Sequence, residues 1–482
     1  MISKINILSI IILTIICSES YAIQDSIITN NLEKILNDNK SKVLINNINI
    51  KGNKKTNRNI ITRELSFEEG QEFKKENILL IIKEDERKIV NTNLFNEVNI
   101  NILPSSITSK SLEIVDINIE VIESFYWIPS VLFELSDRNF NDWWENFNHD
   151  LSRINYGLGL TQYNFTGNAD QLELSFRLGF IKEFYGSYFL PYISQKQKGG
   201  IKFNMNYIDY DHLEYNTENY IPQFYKSKNS LKKHYVTSLE YSHRESFYNY
   251  HYFKLEYNNI NMNDSIFKLN DNYFINNSDT KLDYLTLSYE FDRDFRDLKN
   301  YPLNGFRFNI KIEKNGLGIS NNLNKLKIRL YYSKYIKLKN KYFYSFNISS
   351  VISSNNQPYI LYENTYNLRG YEKYLIHGKS NVIFKNTFKK NILSKNISRN
   401  NQDYFKRIKN IPFKIYAKIF FDSGSIWKYT NTNINLDLNN NYLYSVGFGI
   451  DIVTIKNISL SSEISRNNQK NYNVSFKVGA DF

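Results

Sequence analysis

The chain is predicted to be mostly β: a transmembrane antiparallel barrel of about sixteen strands, preceded by one small domain of order β-α-α-β-β. Three observations predict it. From Glu123 onward an apolar/polar alternation of period two replaces the helical period. The alternating segments have the nine to eleven or so residues that a tilted strand needs to cross hydrocarbon. Beyond the N-terminal leader no run of eighteen apolar residues exists that could cross as a helix.

Composition agrees. The 482 residues carry a formal charge of +12, with 61 Lys and Arg against 49 Asp and Glu. A mean hydropathy of -0.49 excludes a bundle of membrane helices. The 38 Tyr and 33 Phe against 3 Met favour pleated surfaces, because flat rings fill a half-buried sheet well. With 7 Pro and 18 Gly, collagen-like and Pro-rich disordered chains are excluded.

Taken in order, Lys4 precedes an apolar stretch from Ile5 to Cys17, and Ser20-Tyr21-Ala22 offers small residues to a signal peptidase. Residues 1–22 are expected to be a signal peptide cleaved after Ala22, followed by a linker over 23–42. Ile16 stands before Cys17 where a lipidation signal wants a small residue, so this cysteine, the only one in the chain, is expected to leave with the leader. The mature chain then has no thiol for a disulfide, a metal or catalysis.

Residues 43–122 form the small domain. Val43 to Ile50 reads as a strand ending at the turn pair Gly52-Asn53. Thr56 is the expected cap of a helix carrying Ile60, Ile61 and Leu65. A second helix is expected over about Lys74 to Leu94, with Ile78, Leu79, Ile82, Ile89 and Val90 inside. Strands over Phe95 to Leu103 and Leu112 to Ile122 follow, separated by Pro104-Ser105-Ser106.

Residues 123–482 form the barrel. Leu172, Leu174, Phe176, Leu178 and Phe180 share one face, against Gln171, Glu173, Ser175, Arg177 and Gly179 on the other. The same dyad recurs in Phe306, Phe308, Ile310 and Ile312, in Tyr444, Val446, Phe448 and Ile450, and in Tyr472, Val474, Phe476, Val478, Ala480 and Phe482. Longer polar stretches, Asp209 to Lys233 and Asn258 to Thr280, read as external loops alternating with short turns. The 360 residues from 123 to 482 accommodate about sixteen strands at roughly 22 residues each with connections.

Four groups of residues resemble the BamA/TamA-like outer-membrane assembly superfamily, in which periplasmic POTRA domains precede a bacterial surface antigen barrel. Ile45 to Asn53 with Thr56, Ile60, Ile61, Arg63, Glu64 and Leu65, then Leu94-Phe95-Asn96-Glu97-Val98, read like a POTRA domain, with Gly52, Asn53, Phe95 and Val98 at its marked positions. Asp292-Arg293-Asp294 with Tyr301-Pro302-Leu303-Asn304-Gly305 is similar to the family's mid-barrel hairpin. Leu368-Arg369-Gly370-Tyr371 looks like the tip of a loop folded into the lumen. Phe421-Asp422-Ser423-Gly424 looks like the strand facing that tip. Tyr472, Val474, Phe476, Val478, Gly479 and Phe482 resemble the C-terminal insertion signal and the closing strand.

The chemistry of the tip follows from its residues. Arg369 carries a charge that cannot be shed and a planar fork suited to a carboxylate. If Phe421 faces lipid, Asp422 faces the lumen, and an Arg369–Asp422 pair is expected to pin the loop. After Gly378 the family's usual acidic residue is replaced by Asn386-Thr387-Phe388-Lys389-Lys390, so a second acid is expected to be missing.

The resemblance implies an outer-membrane insertion factor with its POTRA-like domain in the periplasm. Its expected partners are unfolded outer-membrane protein clients, the lipid bilayer with its lipopolysaccharide, and accessory outer-membrane lipoproteins. Clients are expected to add to the edge strand Phe95 to Leu103 and to a seam between the strand near Val131 to Leu135 and the last strand. The alternative within transport is a pore of the two-partner-secretion kind. An outer-membrane enzyme is the remote alternative: with 6 His and no convincing Ser/His/Asp spacing, no catalytic residue, metal or cofactor is expected. Lys and Arg are scattered rather than clustered, so no nucleic-acid partner is expected.

Overall fold

The computed structural model describes residues 42–478, apart from 106, 108–111, 138–139, 141, 194–197, 275–279, 319–322, 340, 355–357, 363–367, 399–409, 428–437, 439–440 and 455–458. The leader, residues 23–41 of the linker, and Gly479 to Phe482 lie outside the described residues.

The N-terminal domain is a four-stranded sheet with two helices on one face. Its elements are β1 (Lys42–Lys51), α1 (Arg58–Thr62), β2 (Glu72–Lys74), α2 (Lys75–Val90), β3 (Phe95–Pro104) and β4 (Glu113–Glu123), with sheet order β2-β1-β4-β3. β1 and β4 pair in parallel at the centre. Val43, Ile45, Ile48, Val98, Ile100, Val115, Ile117 and Ile119 bury against Ile60, Ile61, Ile78, Ile82 and Ile89 of the helices. β1 begins at Lys42, one residue inside the expected linker, and the short β2 between the helices was not anticipated. Thr56 does not cap α1. Its backbone N–H and hydroxyl both donate to Glu123 Oε1, at 2.6 and 2.7 Å, because that carboxylate closes the end of β4 beside it.

The rest of the chain builds one sixteen-stranded antiparallel sheet rolled into a barrel. Its strands are β5 (Trp127–Leu135), β6 (Ile154–Tyr163), β7 (Gln171–Gly179), β8 (Ile181–Leu190), β9 (Gly199–Tyr210), β12 (Lys232–Arg244), β13 (Asn249–Met262) and β14 (Lys281–Asp294). They continue as β15 (Gly305–Asn315), β16 (Lys325–Lys337), β17 (Tyr342–Ser353), β18 (Ser380–Ser398), β19 (Asn410–Trp427), β20 (Tyr442–Val453), β21 (Ser459–Asn467) and β22 (Tyr472–Val478). A separate hairpin, β10 (His212–Glu218) and β11 (Ile221–Lys226), stands between β9 and β12.

The barrel wears its apolar residues outside. On β20, Tyr444, Val446, Phe448 and Ile450 are 45 to 59 % exposed, while Ser445 and Asp451, at alternate positions, are wholly buried. On β21, Ser459, Ser461, Glu463, Ser465 and Asn467 are buried and Leu460 and Ile464 face out. A water-soluble sandwich shows the opposite; exposed hydrocarbon over a polar interior is what a barrel surrounded by lipid requires. No helix among the described residues is long and apolar enough to cross a membrane.

Two loop expectations are corrected. The stretches Asp209 to Lys233 and Asn258 to Thr280 are not simply polar: Leu213, Leu231, Ile260, Met262, Ile266, Phe267, Tyr273 and Phe274 form a buried apolar cluster. The cluster lies where the β9–β12 and β13–β14 connections emerge, at the opposite end of those strands from the turns that meet the N-terminal domain. Phe180, which the dyad places with the outward residues, lies in the turn after β7 and is buried against His212 at 4.7 Å and Phe224 at 5.6 Å. The chain reverses at Gly179, whose φ is +115°, so the dyad ends there.

At the near end the small domain is tied to three barrel turns. Arg244 at the foot of β12 holds Glu64 through two bonds of 2.8 and 3.1 Å. The Arg63 guanidinium stacks 3.4 Å from the Tyr192 ring, Tyr248 Oη donates to Glu84 at 2.7 Å, and Asn57 N donates to Gly167 O at 3.0 Å. Burial opposes ionisation of Glu123 at the junction, but the hydrogen bonds from Thr56 and Lys55 outweigh it and hold its carboxyl below the ordinary range.

Candidate functional site

The candidate site is the lumen beside β18 to β22, where the loop joining β17 to β18 folds in. Gly370 sits at φ +88°, a conformation that favours glycine, and a Cβ there would lie 3.0 Å from the Ser445 Cβ on the wall. This turn aims Arg369, 1 % exposed, at β19. Its Nε and Nη2 each lie 2.6 Å from an Asp422 carboxylate oxygen, a parallel two-bond fork. Nη2 also donates to Thr387 Oγ1 of β18 at 2.9 Å, and the guanidinium stacks 3.8 Å from the Phe420 ring. Phe421 faces out and Asp422 is wholly buried, as their alternation on one strand demands. Tyr371, also wholly buried, donates to Tyr444 O at 3.3 Å and to Asn468. Gly424 lies two residues past Asp422 on β19, where its backbone runs close to β18.

The second acid is not missing. Glu463 of β21 places Oε1 3.5 Å from Arg369 Nη1. A search confined to the residues after Gly378 could not find it, because the carboxylate arrives from a strand about eighty residues further along and is brought near only by the barrel's curvature.

Glu463 also starts a wider network. Its Oε1 lies 2.8 Å from Lys418 Nζ of β19 and its Oε2 2.8 Å from Lys477 Nζ of β22. Lys418 reaches Asp451 of β20 at 2.5 Å, and Asp451 accepts from Tyr301 Oη at 2.7 Å. Tyr301 belongs to the turn after β14, so a turn from the near end and a loop from the far end meet through charged side chains within one bore. Nothing in the sequence signalled Lys418, Asp451, Glu463 or Tyr301 as members.

The other sequence-marked residues are spread out. Asp292 pairs with Arg307 across β14 and β15 at 2.8 Å, Asp294 pairs with Arg296 at 2.7 Å, and Arg293 stacks over Phe295 at 5.2 Å. Pro302 is buried in the turn that carries Tyr301, and Gly305 opens β15 at φ +103°. Tyr472, Val474 and Phe476 point outward from β22, and Val478 ends it. In the small domain Phe95 and Val98 are core residues, Gly52 takes φ +94° and Asn53 Nδ2 donates to Thr56 O at 3.0 Å.

Several sheet edges lack a strand partner among the described residues, among them β2 and β3 in the small domain and the β5 and β22 ends of the barrel sheet. β3 is one outer strand of its sheet, and its Ile100 N–H donates to Glu86 Oε1 at 2.9 Å. β5 and β22 stand at opposite ends of the sixteen-strand order with no register joining them. β5 carries Pro129, which lacks an N–H and suits only an edge strand. The folded-in loop reaches both sides of this seam with consecutive residues: Glu372 Oε2 accepts from Asn473 Nδ2 of β22 at 2.6 Å, while Lys373 contacts Glu145 and Asn146, which follow β5.

A barrel with an apolar belt, a loop pinned inside it and a small βα domain at its foot defines a class of β-barrel membrane proteins. Residues 164–482 match the family model described as the Omp85 superfamily domain, and residues 43–124 match the POTRA model, surface antigen variable number repeat. The chain belongs to the Omp85 superfamily. In fold it is similar to the crystal structure of BamA from Haemophilus ducreyi lacking POTRA domains 1–3, at 17 % identity over 91 % of this chain and 84 % of that one, with a TM-score of 0.54. It is also similar to CdiB from Escherichia coli, at 11 % identity over 90 % and 76 %, TM-score 0.55. CdiB from Acinetobacter baumannii aligns at 14 % over 91 % and 74 %, TM-score 0.51. No curated protein sequence matches the chain.

Proposed function

We propose that the protein inserts client polypeptides into the outer membrane, taking them up at β3 on the periplasmic side and releasing them through the seam between β5 and β22. The observation that carries this reading is that, among the described residues, the ten-residue β3, longer than the three-residue β2 on the other edge of its sheet, and the β5 and β22 ends of the barrel sheet are unmatched. An unpaired edge is a template on which an extended chain gains main-chain hydrogen bonds, and no cofactor is consumed in that exchange. A client strand with alternating apolar and polar residues suits β3, which shows Val98, Ile100 and Ile102 on the helix-packed face and Asn99 and Asn101 on the other.

Passage through the bore, the secretion alternative, is supported less well. Arg369 and its partners occupy the lumen beside β18 to β22 and would have to move aside for a chain to pass. Glu372 and Lys373 make contacts on the two sides of the seam, and among the described residues no strand register joins β5 to β22.

The test is a reversible lock. A cysteine at Ser130 of β5, combined in turn with cysteines at Asn473, Ser475 and Lys477 of β22, is oxidised in vesicles and given an unfolded barrel client. Insertion that stops in the crosslinked pair and returns with reductant supports the seam; undiminished insertion by the locked barrel refutes it.

A further inference from the structure

The outward face of the sheet from β5 through β9 to β12 carries a hollow of about 770 Å³, within the size range of ligand sites. Its floor is Gly186, in the middle of β8. In cross-strand register Gly186 stands between Leu174 of β7 and Met205 of β9, and the next row outward is Phe176, Phe184 and Tyr207. These rows are half exposed and face the belt that lipid surrounds, Leu174 at 48 %, Phe184 at 56 % and Met205 at 54 %.

Gly186 needs explaining. Glycine weakens the middle of a strand, and within strands it marks a bend or a place where something approaches closely. Here the register runs without a bulge from Arg177 to Gln171 on one side and from Ile181 to Leu190 on the other. A Cβ at Gly186 would meet nothing closer than Leu174 Cδ2 at 3.5 Å, ordinary contact, and its φ is not in the left-handed region. Gly157 and Gly179 on the neighbouring strands differ: a Cβ on either would lie 2.0 and 2.2 Å from backbone oxygens. The backbone therefore does not require glycine at 186. The missing side chain makes a gap in an otherwise bulky apolar wall.

We propose that this hollow seats one acyl chain of a membrane phospholipid. In hydrocarbon no hydrophobic gain separates protein from lipid, so a seat works by close packing: an empty gap forfeits dispersion contacts that a flexible methylene chain restores. None of the lining residues is charged, so the site offers nothing to the phosphates of lipopolysaccharide and favours a single tail whose headgroup lies elsewhere. β8 is three strands from β5, roughly 15 Å at the usual strand spacing, so the seated chain would lie beside the seam's first strand. The site rests on the barrel lying in a bilayer.

The test uses the full chain reconstituted in phosphatidylethanolamine and phosphatidylglycerol vesicles containing a phosphatidylcholine with a photoreactive acyl chain. After irradiation, labelled positions are mapped by mass spectrometry. Labelling concentrated on Leu174, Phe184 and Met205 over the outward row of β15, Phe308 to Ile312, is expected. G186F and M205F, which fill the hollow from two strands, should each lose that excess, while G186A keeps it. Heat-modifiable gel mobility reports whether each variant is folded. Even labelling around the barrel, or an excess that survives both filling variants, overturns the seat. An excess seen only with a photoreactive lipid A, or crosslinks between two barrels at these residues, overturns the choice of phospholipid. A chain that never enters the vesicles would instead sink the membrane reading itself.

Discussion

Replacing Arg369 with alanine should detach the folded-in loop at a cost that can be worked from its contacts. The wild-type guanidinium makes two 2.6 Å bonds to Asp422 and one of 2.9 Å to Thr387, and both charged partners are almost wholly buried. Truncation strands the Asp422 carboxylate in the bore. Breaking one side of a buried ion pair typically costs about 3–5 kcal/mol. R369K keeps the charge but cannot form the fork or stack flat on Phe420, and should lose about 1.5–3 kcal/mol, the worth of one charge-assisted bond. The R369A/D422A double variant should be markedly less destabilised than the sum of the two single ones, because it leaves no stranded carboxylate at 422. Asp422 is the cleaner partner for this cycle, since Glu463 also serves Lys418 and Lys477. Urea unfolding in vesicles, followed by the heat-modifiable band, reads the free energies, and protease sensitivity between β17 and β18 reads the loop. Additive single variants, or a loop as protected in R369A as in wild type, would refute the pinning.

Other perturbations have expected signs. K373A removes the side-chain ion pair to Glu145 on the β5 side of the seam while leaving the bond from Asn146 to the Lys373 backbone carbonyl, and should speed thiol labelling of a cysteine at Ser130; unchanged labelling would show that the Lys373 side chain does not hold the seam. E86A frees the Ile100 N–H on β3 and should tighten binding of an extended amphipathic peptide by up to about 1 kcal/mol in fluorescence anisotropy; weaker binding would place uptake elsewhere. The Glu123 carboxyl is held below its ordinary range in the folded protein, so its contribution is complete above the unfolded value near about 4.3 and is lost as pH falls through the depressed one. The protection factors of the Lys55 and Thr56 amides, with exchange corrected for its intrinsic pH dependence, should therefore fall on acidification, and E123Q should flatten that dependence; an equal slope in both would refute it.

The sequence by itself determined which residues face lipid and which face the bore, because a strand's side chains alternate strictly and the two surroundings differ in what they solvate. β20 and β21 follow that alternation residue by residue. It also made Arg369 and Asp422 legible, each inside a short motif on a loop tip and a strand. The tertiary structure alone decided the company they keep. Glu463, Lys418, Asp451 and Tyr301 come from three strands and a turn, and they meet only because the sheet curls and brings its polar faces within a few ångströms. The same holds for the far end, where the residues of Asp209 to Lys233 look polar along the chain yet bury Leu213 and Leu231 against a neighbouring loop. Facing depends on one residue's neighbours in sequence; a charge network depends on the register and stagger of whole strands, which no local pattern records.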